Sequence, residues 1–145
     1  MSDAAIQQGS ETGKPDARHR KVRTFRDLIA WQRAVELAVL TYEVTKAMPA
    51  EERFGLTSQI RRAVVSIASN IAEGHARESR ADYLRFLRMA RGSLAELSTQ
   101  LEIAERASLL SVHPQLTDLI AETARILQAL IKSLVLSEPK PKDRS

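Results

Sequence analysis

Along the chain, apolar residues return with the period of a helix in four stretches, and no stretch shows the strict alternation of a strand. The first stretch runs from about Thr24 to Ala47 and sets Leu28, Trp31, Val35, Val39 and Tyr42 within about 80° of one another at about 100° per residue, predicting a buried stripe. Ile29, Leu37, Leu40 and Val44 form a second apolar arc on its far side, more than a helix with one wet face needs. Thr24 is its expected N-cap, with Asp27 three residues on, and Pro49 its stop. The second stretch, about Phe54 to Glu73, carries Leu56, Ile60, Ala63, Val64, Ile67 and Ile71 on its core side, with Gly74 suited to its C-terminus. Because Ala63 to Ala72 holds no charge, this helix must be covered on most sides.

The third stretch extends from about Ser79, its expected N-cap with Asp82 at the third position, to Ala107. Its core arc is Tyr83, Phe86, Leu87, Ala90, Leu94, Leu97, Leu101 and Ala104. The fourth, about Val112 to Leu136, has Ser111 as N-cap and Pro114 in the permissive first turn. Leu116, Leu119, Ile120, Thr123, Ile126, Leu127, Leu130, Ile131 and Leu134 make it the cleanest amphipathic helix. Links of about five residues make consecutive helices antiparallel neighbours, so the expected fold is all-α, an antiparallel up-down-up-down four-helix bundle over residues 24–136.

Composition agrees with one helical domain: 145 residues, 4% aromatic, five Gly, five Pro and no Cys. The lack of cysteine excludes disulfides and thiol chemistry and suits a reducing cytoplasm. No stretch reaches the length and apolarity of a membrane span, so a membrane partner is not expected. The net charge of +4 invites a nucleic-acid reading, but it is unevenly held. Residues 1–24 carry five Lys/Arg against three Asp/Glu and residues 137–145 three against two, leaving fourteen against thirteen between them. Residues 1–23 are expected to be a disordered basic tail and residues 137–145 a second disordered tail.

Catalytic patterns are absent. A di-iron bundle needs Glu-x-x-His on two helices, and the sequence has none. His19, His75 and His113 fall in a tail and two expected links, so no metal is expected. There is no phosphate loop, nucleophile elbow or dinucleotide fingerprint, and Gly55, Gly74 and Gly92 are ascribed to turns or close helix packing. No cofactor and no enzymatic activity are expected.

The charges of the third helix are sorted. Arg77, Arg80, Arg88 and Arg91 fall within an arc of about 80°, with Glu78, Asp82 and Glu96 on the opposite flank. Three readings fit: a solvated face with i, i+3 and i, i+4 pairs, a track for phosphates, or a ring in which the basic flank of one subunit meets the acidic flank of the next. On the second helix Gln59, Arg62, Ser66, Ser69 and Glu73 make a polar stripe, read first as a subunit interface, with Asn70 at the edge of the apolar side needing a partner for its amide.

Four ordered motifs carry a family resemblance: Phe25-x-x-Leu28-x-x-Trp31-Gln32, Phe54-Gly55-Leu56-x-x-Gln59-Ile60-Arg61-Arg62-Ala63, Ser66-Ile67-x-Ser69-Asn70-Ile71-Ala72-Glu73-Gly74 and Ala90-x-Gly92-Ser93-Leu94-x-Glu96-Leu97. Over residues 24–136 the chain resembles the four-helix-bundle proteins encoded in intervening sequences of 23S ribosomal RNA genes. It is similar in fold to the accessory variability protein of diversity-generating retroelements. The resemblance implies assembly into a homopentameric ring and a role in binding RNA or DNA, or a partner that handles them, such as a reverse transcriptase or a ribosomal component. It implies no catalysis. Arg61, Arg62, Asn70, Glu73, Arg77 and Glu96 match the pattern, either as subunit contacts or as RNA contacts. Arg62, Ser66, Ser69, Asn70, Glu73 and Glu96 are taken as interface candidates and Arg77, Arg80, Arg88 and Arg91 as nucleic-acid candidates. The alternative function is a purely structural protein-protein scaffold.

Overall fold

A computed structural model describes residues 21–137. The tails expected over residues 1–23 and 137–145 lie, apart from Lys21 to Arg23 and Ser137, outside the described residues, as does His19. Four helices form, α1 (Ile29–Thr45), α2 (Leu56–His75), α3 (Arg80–Arg106) and α4 (Pro114–Leu136), with no strand among the described residues. Each packs on two others: α2 most extensively on α3, α1 on α2 and α4, and α4 on α3, so the four close around one core.

The boundaries differ from expectation at both ends of the chain. Thr24 and Asp27 do form a reciprocal capping box, but it caps a short 3-10 turn, Phe25–Asp27. Leu28 then adopts extended backbone, with ψ 123°, and α1 starts afresh without a side-chain cap. The turn folds back on α1: the Phe25 and Trp31 rings meet edge-on at 5.2 Å, and the Gln32 amide donates to the Arg26 carbonyl at 2.9 Å. At α4 the N-cap is His113 and not Ser111, with Pro114 as the first helical residue. Ser79 caps α3 as expected, its hydroxyl accepting from the Asp82 N–H at 3.1 Å. His75 ends α2, and His113 caps α4.

Core phase is as expected on α2 and α4, and on α3 except at its start, where Leu84 is buried and Tyr83, expected in the core, is half-buried. Ile60, Val64, Ile67, Ile71, Leu87, Leu97 and Leu116 are fully buried, and Leu94 is buried beside them. On α1 the expected stripe is right at Leu28, which is buried, and wrong toward its C-terminal end. Its core side is Ala30, Ala34, Leu37, Thr41 and Thr45, whereas Trp31 and Val35 are half-buried and Val39 and Tyr42 are 61% and 42% exposed. Two causes act together. The helix is apolar on almost every side, so periodicity alone selects no face. The face that packs is also built of Ala and Thr, small enough for close approach. Thr45 is buried at little penalty because its hydroxyl donates to the Thr41 carbonyl at 2.7 Å.

Gly74 lies inside the last turn of α2, not beyond it, and serves packing: a Cβ there would stand 2.8 Å from Phe86 Cβ and 3.2 Å from the Tyr83 carbonyl. Gly92 breaks the expectation of close packing. Nothing lies within 4 Å of where its Cβ would be.

Candidate interface and nucleic-acid surface

The four arginines expected to line one face behave differently from one another. Arg77 precedes α3 and so does not share its helical phase; it pairs with Glu73 at 2.8 Å, and its guanidinium lies 4.7 Å from the centre of the Phe86 ring. Arg80 donates to the Ser137 carbonyl at 2.9 Å, tying the start of α3 to the end of α4. Arg91 donates to Gln128 on α4 at 3.1 Å. Of the four, Arg88 alone has no hydrogen bond or ion pair among the described residues. On the opposite flank Asp82 faces Arg85 at 3.7 Å, while Glu96 accepts from Gln100 at 3.4 Å.

The interface candidates collect along the seam of α2 and α3. Gln59, Arg62, Ala63 and Ser66 from α2 and Glu96 from α3 line an open cleft of about 570 Å³. Ser66 and Ser93 share a hydroxyl-hydroxyl hydrogen bond of 2.9 Å across the seam. The Asn70 amide finds its partners within its own helix, donating at 2.9 Å to the Ser66 carbonyl and to the Ser66 hydroxyl. Its requirement is therefore met inside the chain. Ser69 and Glu73 continue the exposed polar stripe toward the C-terminal end of α2. Exposed Met89 and Ile103, 46% and 52% accessible, share α3 with Gly92 and were not singled out by the sequence.

On the outer side of α1 and α2 sequence reasoning named Arg61 and Arg62 but missed the surface they belong to. Tyr42, Arg53, Phe54, Thr57, Ser58, Arg61, Arg62 and Val65 line an open cleft of about 460 Å³ there. Phe54 is 88% exposed. The signal was present in the second motif, where an aromatic is followed by paired arginines about two helical turns on.

Among the described residues no cluster of three or more His, Asp or Glu could hold a metal, and no helix is long and apolar enough to cross a membrane. Two groups have displaced pKa values. Burial pushes the Tyr83 phenol up to about 12, beside Gly74 and edge-on to His75. The hydrogen bond to Glu122 is the main cause that raises the Arg33 guanidinium further, with Glu36 assisting against partial desolvation.

Against known proteins, residues 26–132 match the model of the 23S rRNA-intervening sequence protein family. The chain belongs to that family. A solved structure with a similar fold is a Bacteroides thetaiotaomicron protein of the S23 ribosomal protein family, described as of unknown function. It is 27% identical, with a TM-score of 0.64, and the match covers 72% of this chain and 96% of that one. No curated protein matches the chain. The geometry shows what several motif residues do in this member of the family. Phe25, Trp31 and Gln32 fasten the first turn to α1. Gly55 leaves room for the Glu52 carboxylate, which accepts from the Leu56 N–H at 3.1 Å and would meet a Cβ on residue 55 at 2.8 Å. Arg61 donates to the Thr45 hydroxyl at 3.0 Å and joins α2 to α1.

Proposed function

We propose that the chain is a non-catalytic, homo-oligomeric helical bundle that binds RNA, DNA or a partner handling them. The membership of the 23S rRNA-intervening sequence family carries this reading. The helices are read as antiparallel neighbours in up-down-up-down order. In support, Arg80 at the start of α3 reaches Ser137 at the end of α4, and Gly74 at the end of α2 packs on Tyr83 and Phe86 at the start of α3. Assembly is read as a pentameric ring acting in the cytoplasm, with a reverse transcriptase or a ribosomal component as the class of protein partner.

Self-association is supported by surface that one chain leaves uncovered: Val39, Met89 and Ile103 exposed on α1 and α3, and Gly92 with open space above it. A glycine inside a helix costs roughly 0.5–1 kcal/mol relative to alanine, which a close approach by a neighbouring subunit would justify. The seam lined by Ser66 and Glu96 is taken as one half of that contact. On α3 Arg88 is the nucleic-acid candidate with no partner among the described residues, whereas Arg77 is neutralised by Glu73 and Arg80 and Arg91 bond neutral oxygens within the chain. That engagement is also what favours the second reading, a protein-protein scaffold with no nucleic-acid role.

Anisotropy of a fluorescent RNA across a salt series separates the two. Binding near 50 mM salt, with log affinity falling linearly as log salt rises, is the expected outcome. No binding at that salt leaves the scaffold. Gly92→Leu, which closes the open space, is expected to lower the oligomer mass in light scattering; an unchanged mass would move the subunit contact away from α3.

A further inference from the structure

On the side of the bundle formed by α1 and α2 the sequence singled out only Arg61 and Arg62, yet the fold gathers three arginines and two exposed aromatics there around one cleft. Phe54 stands at the junction of a 3-10 turn (Ala50–Glu52) and α2, and its backbone is fixed on both sides. Arg53 N–H bonds the Ala50 carbonyl at 3.2 Å, and Gly55 N–H bonds the Glu52 carbonyl at 3.0 Å. A phenylalanine held this firmly and left 88% exposed is a prepared surface, since an aromatic ring normally supplies core burial. The Arg53 guanidinium lies 5.4 Å from the centre of the Phe54 ring, and that of Arg61 lies 4.7 Å from the centre of the Tyr42 ring.

The charge of the cleft has one sign. Arg53, Arg61 and Arg62 line it with no carboxylate among the lining residues, and none of the three has a carboxylate partner among the described residues. Glu52, adjacent in sequence, is committed to the Leu56 N–H. Arg61 and Arg62 donate only to neutral oxygens, those of Thr45, Tyr42 and Ser58. Thr57, 6% exposed, also lines the cleft, and its hydroxyl has no partner. An aromatic platform ringed by uncompensated arginines matches the chemistry of an unpaired base flanked by phosphates. A second copy of the chain would fit the apolar surface, but it would need to bring carboxylates to answer the arginines.

We propose that this cleft binds single-stranded RNA, one unpaired base stacking on Phe54 while Arg53, Arg61 and Arg62 contact the adjoining phosphates. The inference rests on the nucleic-acid reading above and names its site, on a different side of the bundle from Arg88. It also gives the binding a preference, because stacking needs a base that a duplex keeps paired.

The test uses the full chain and a fluorescein-labelled uridine-rich 12-mer, alone and annealed to its complement, with light scattering on each variant. The parent is expected to bind the single strand at least fivefold more tightly than the duplex. Phe54→Ala is expected to lose roughly 5- to 100-fold in affinity for the single strand, the range for a stacked base, at unchanged oligomer mass. Phe54→Trp should retain the affinity. Arg53→Gln should lower the salt slope by about 0.7, the value for one phosphate contact on a single strand. If the parent binds and Phe54→Ala binds equally well, this site is wrong while the nucleic-acid reading stands. If Phe54→Ala breaks the oligomer, the cleft is a subunit contact and the proposal is overturned. If the parent binds neither RNA, both readings fail together.

Discussion

Two groups of arginines lie on different sides of this bundle, and they are employed differently. Around α3, Arg77, Arg80 and Arg91 reach Glu73, Ser137 and Gln128 and hold helices and links in register. Between α1 and α2, Arg53, Arg61 and Arg62 surround Phe54 and Tyr42 and meet no carboxylate. The contrast separates charge that a sequence displays from charge a surface has available. Of the first group only Arg77 is answered by a carboxylate; Arg80 and Arg91, like Arg61 and Arg62, bond neutral oxygens, so what sets the second group apart is the exposed aromatic surface it surrounds and the unbonded Arg53 guanidinium.

Both sides rest on one core, so the largest effect on either is removal of that core. Leu94, 4% exposed, truncated to alanine is expected to lower stability by roughly 2–5 kcal/mol in denaturant titrations, through lost burial and a residual cavity. A midpoint equal to the parent's would mean that the phase of α3 is misassigned. Next comes Gly74→Ala. Its methyl would displace Phe86, on which Arg77 lies, and is expected to cost about 1–3 kcal/mol by overpacking, disturbing the α3 side while leaving the Phe54 cleft as it was.

The direct challenge to the contrast is the triple change Arg77→Gln, Arg80→Gln, Arg91→Gln. These contacts are at the surface, so the expected loss is about 1 kcal/mol of stability in all, with RNA affinity within a factor of about three of the parent's. A tenfold drop in affinity at unchanged oligomer mass would dissolve the distinction between the two groups. The smallest effect concerns alkaline pH. The folded chain keeps Tyr83 neutral up to about 12, whereas an unfolded tyrosine ionises near 10, so its contribution is complete below about pH 10 and declines as pH rises from there toward 12. Tyr83→Phe should remove that share of the loss between denaturation midpoints taken at about pH 9 and pH 11; an identical decline in both proteins would show the phenol to be uninvolved.

How far the sequence reached depended on how strongly each helix separated its faces. In α2, α3 and α4 large aliphatics recur at helical spacing among polar or small residues, and most buried residues fall where the period puts them. In α1 Val35, Val39 and Tyr42 imitate a core stripe, while the real one hides in Ala30, Ala34, Thr41 and Thr45, residues whose burial follows from close approach and not from hydrophobicity. Thr24 with Asp27 was legible as a cap, but not that it closes a turn ahead of the helix. The polar stripe of α2 was legible from the helical spacing of Gln59, Arg62 and Ser66, though not that Glu96 of α3 lines the same cleft. The cleft at Phe54 was not, since it joins Tyr42 of one helix to a loop and to the next helix, a juxtaposition that no single periodicity encodes.

The central claim is that the chain binds nucleic acid as a ring of several copies. Light scattering of the full chain at micromolar concentration, with and without a single-stranded RNA of known mass, tests it most directly. The account expects a particle of five 16.2 kDa subunits that gains the mass of bound RNA at low salt and releases it at high salt. A particle of one 16.2 kDa chain, or an oligomer whose mass RNA leaves unchanged, would contradict it.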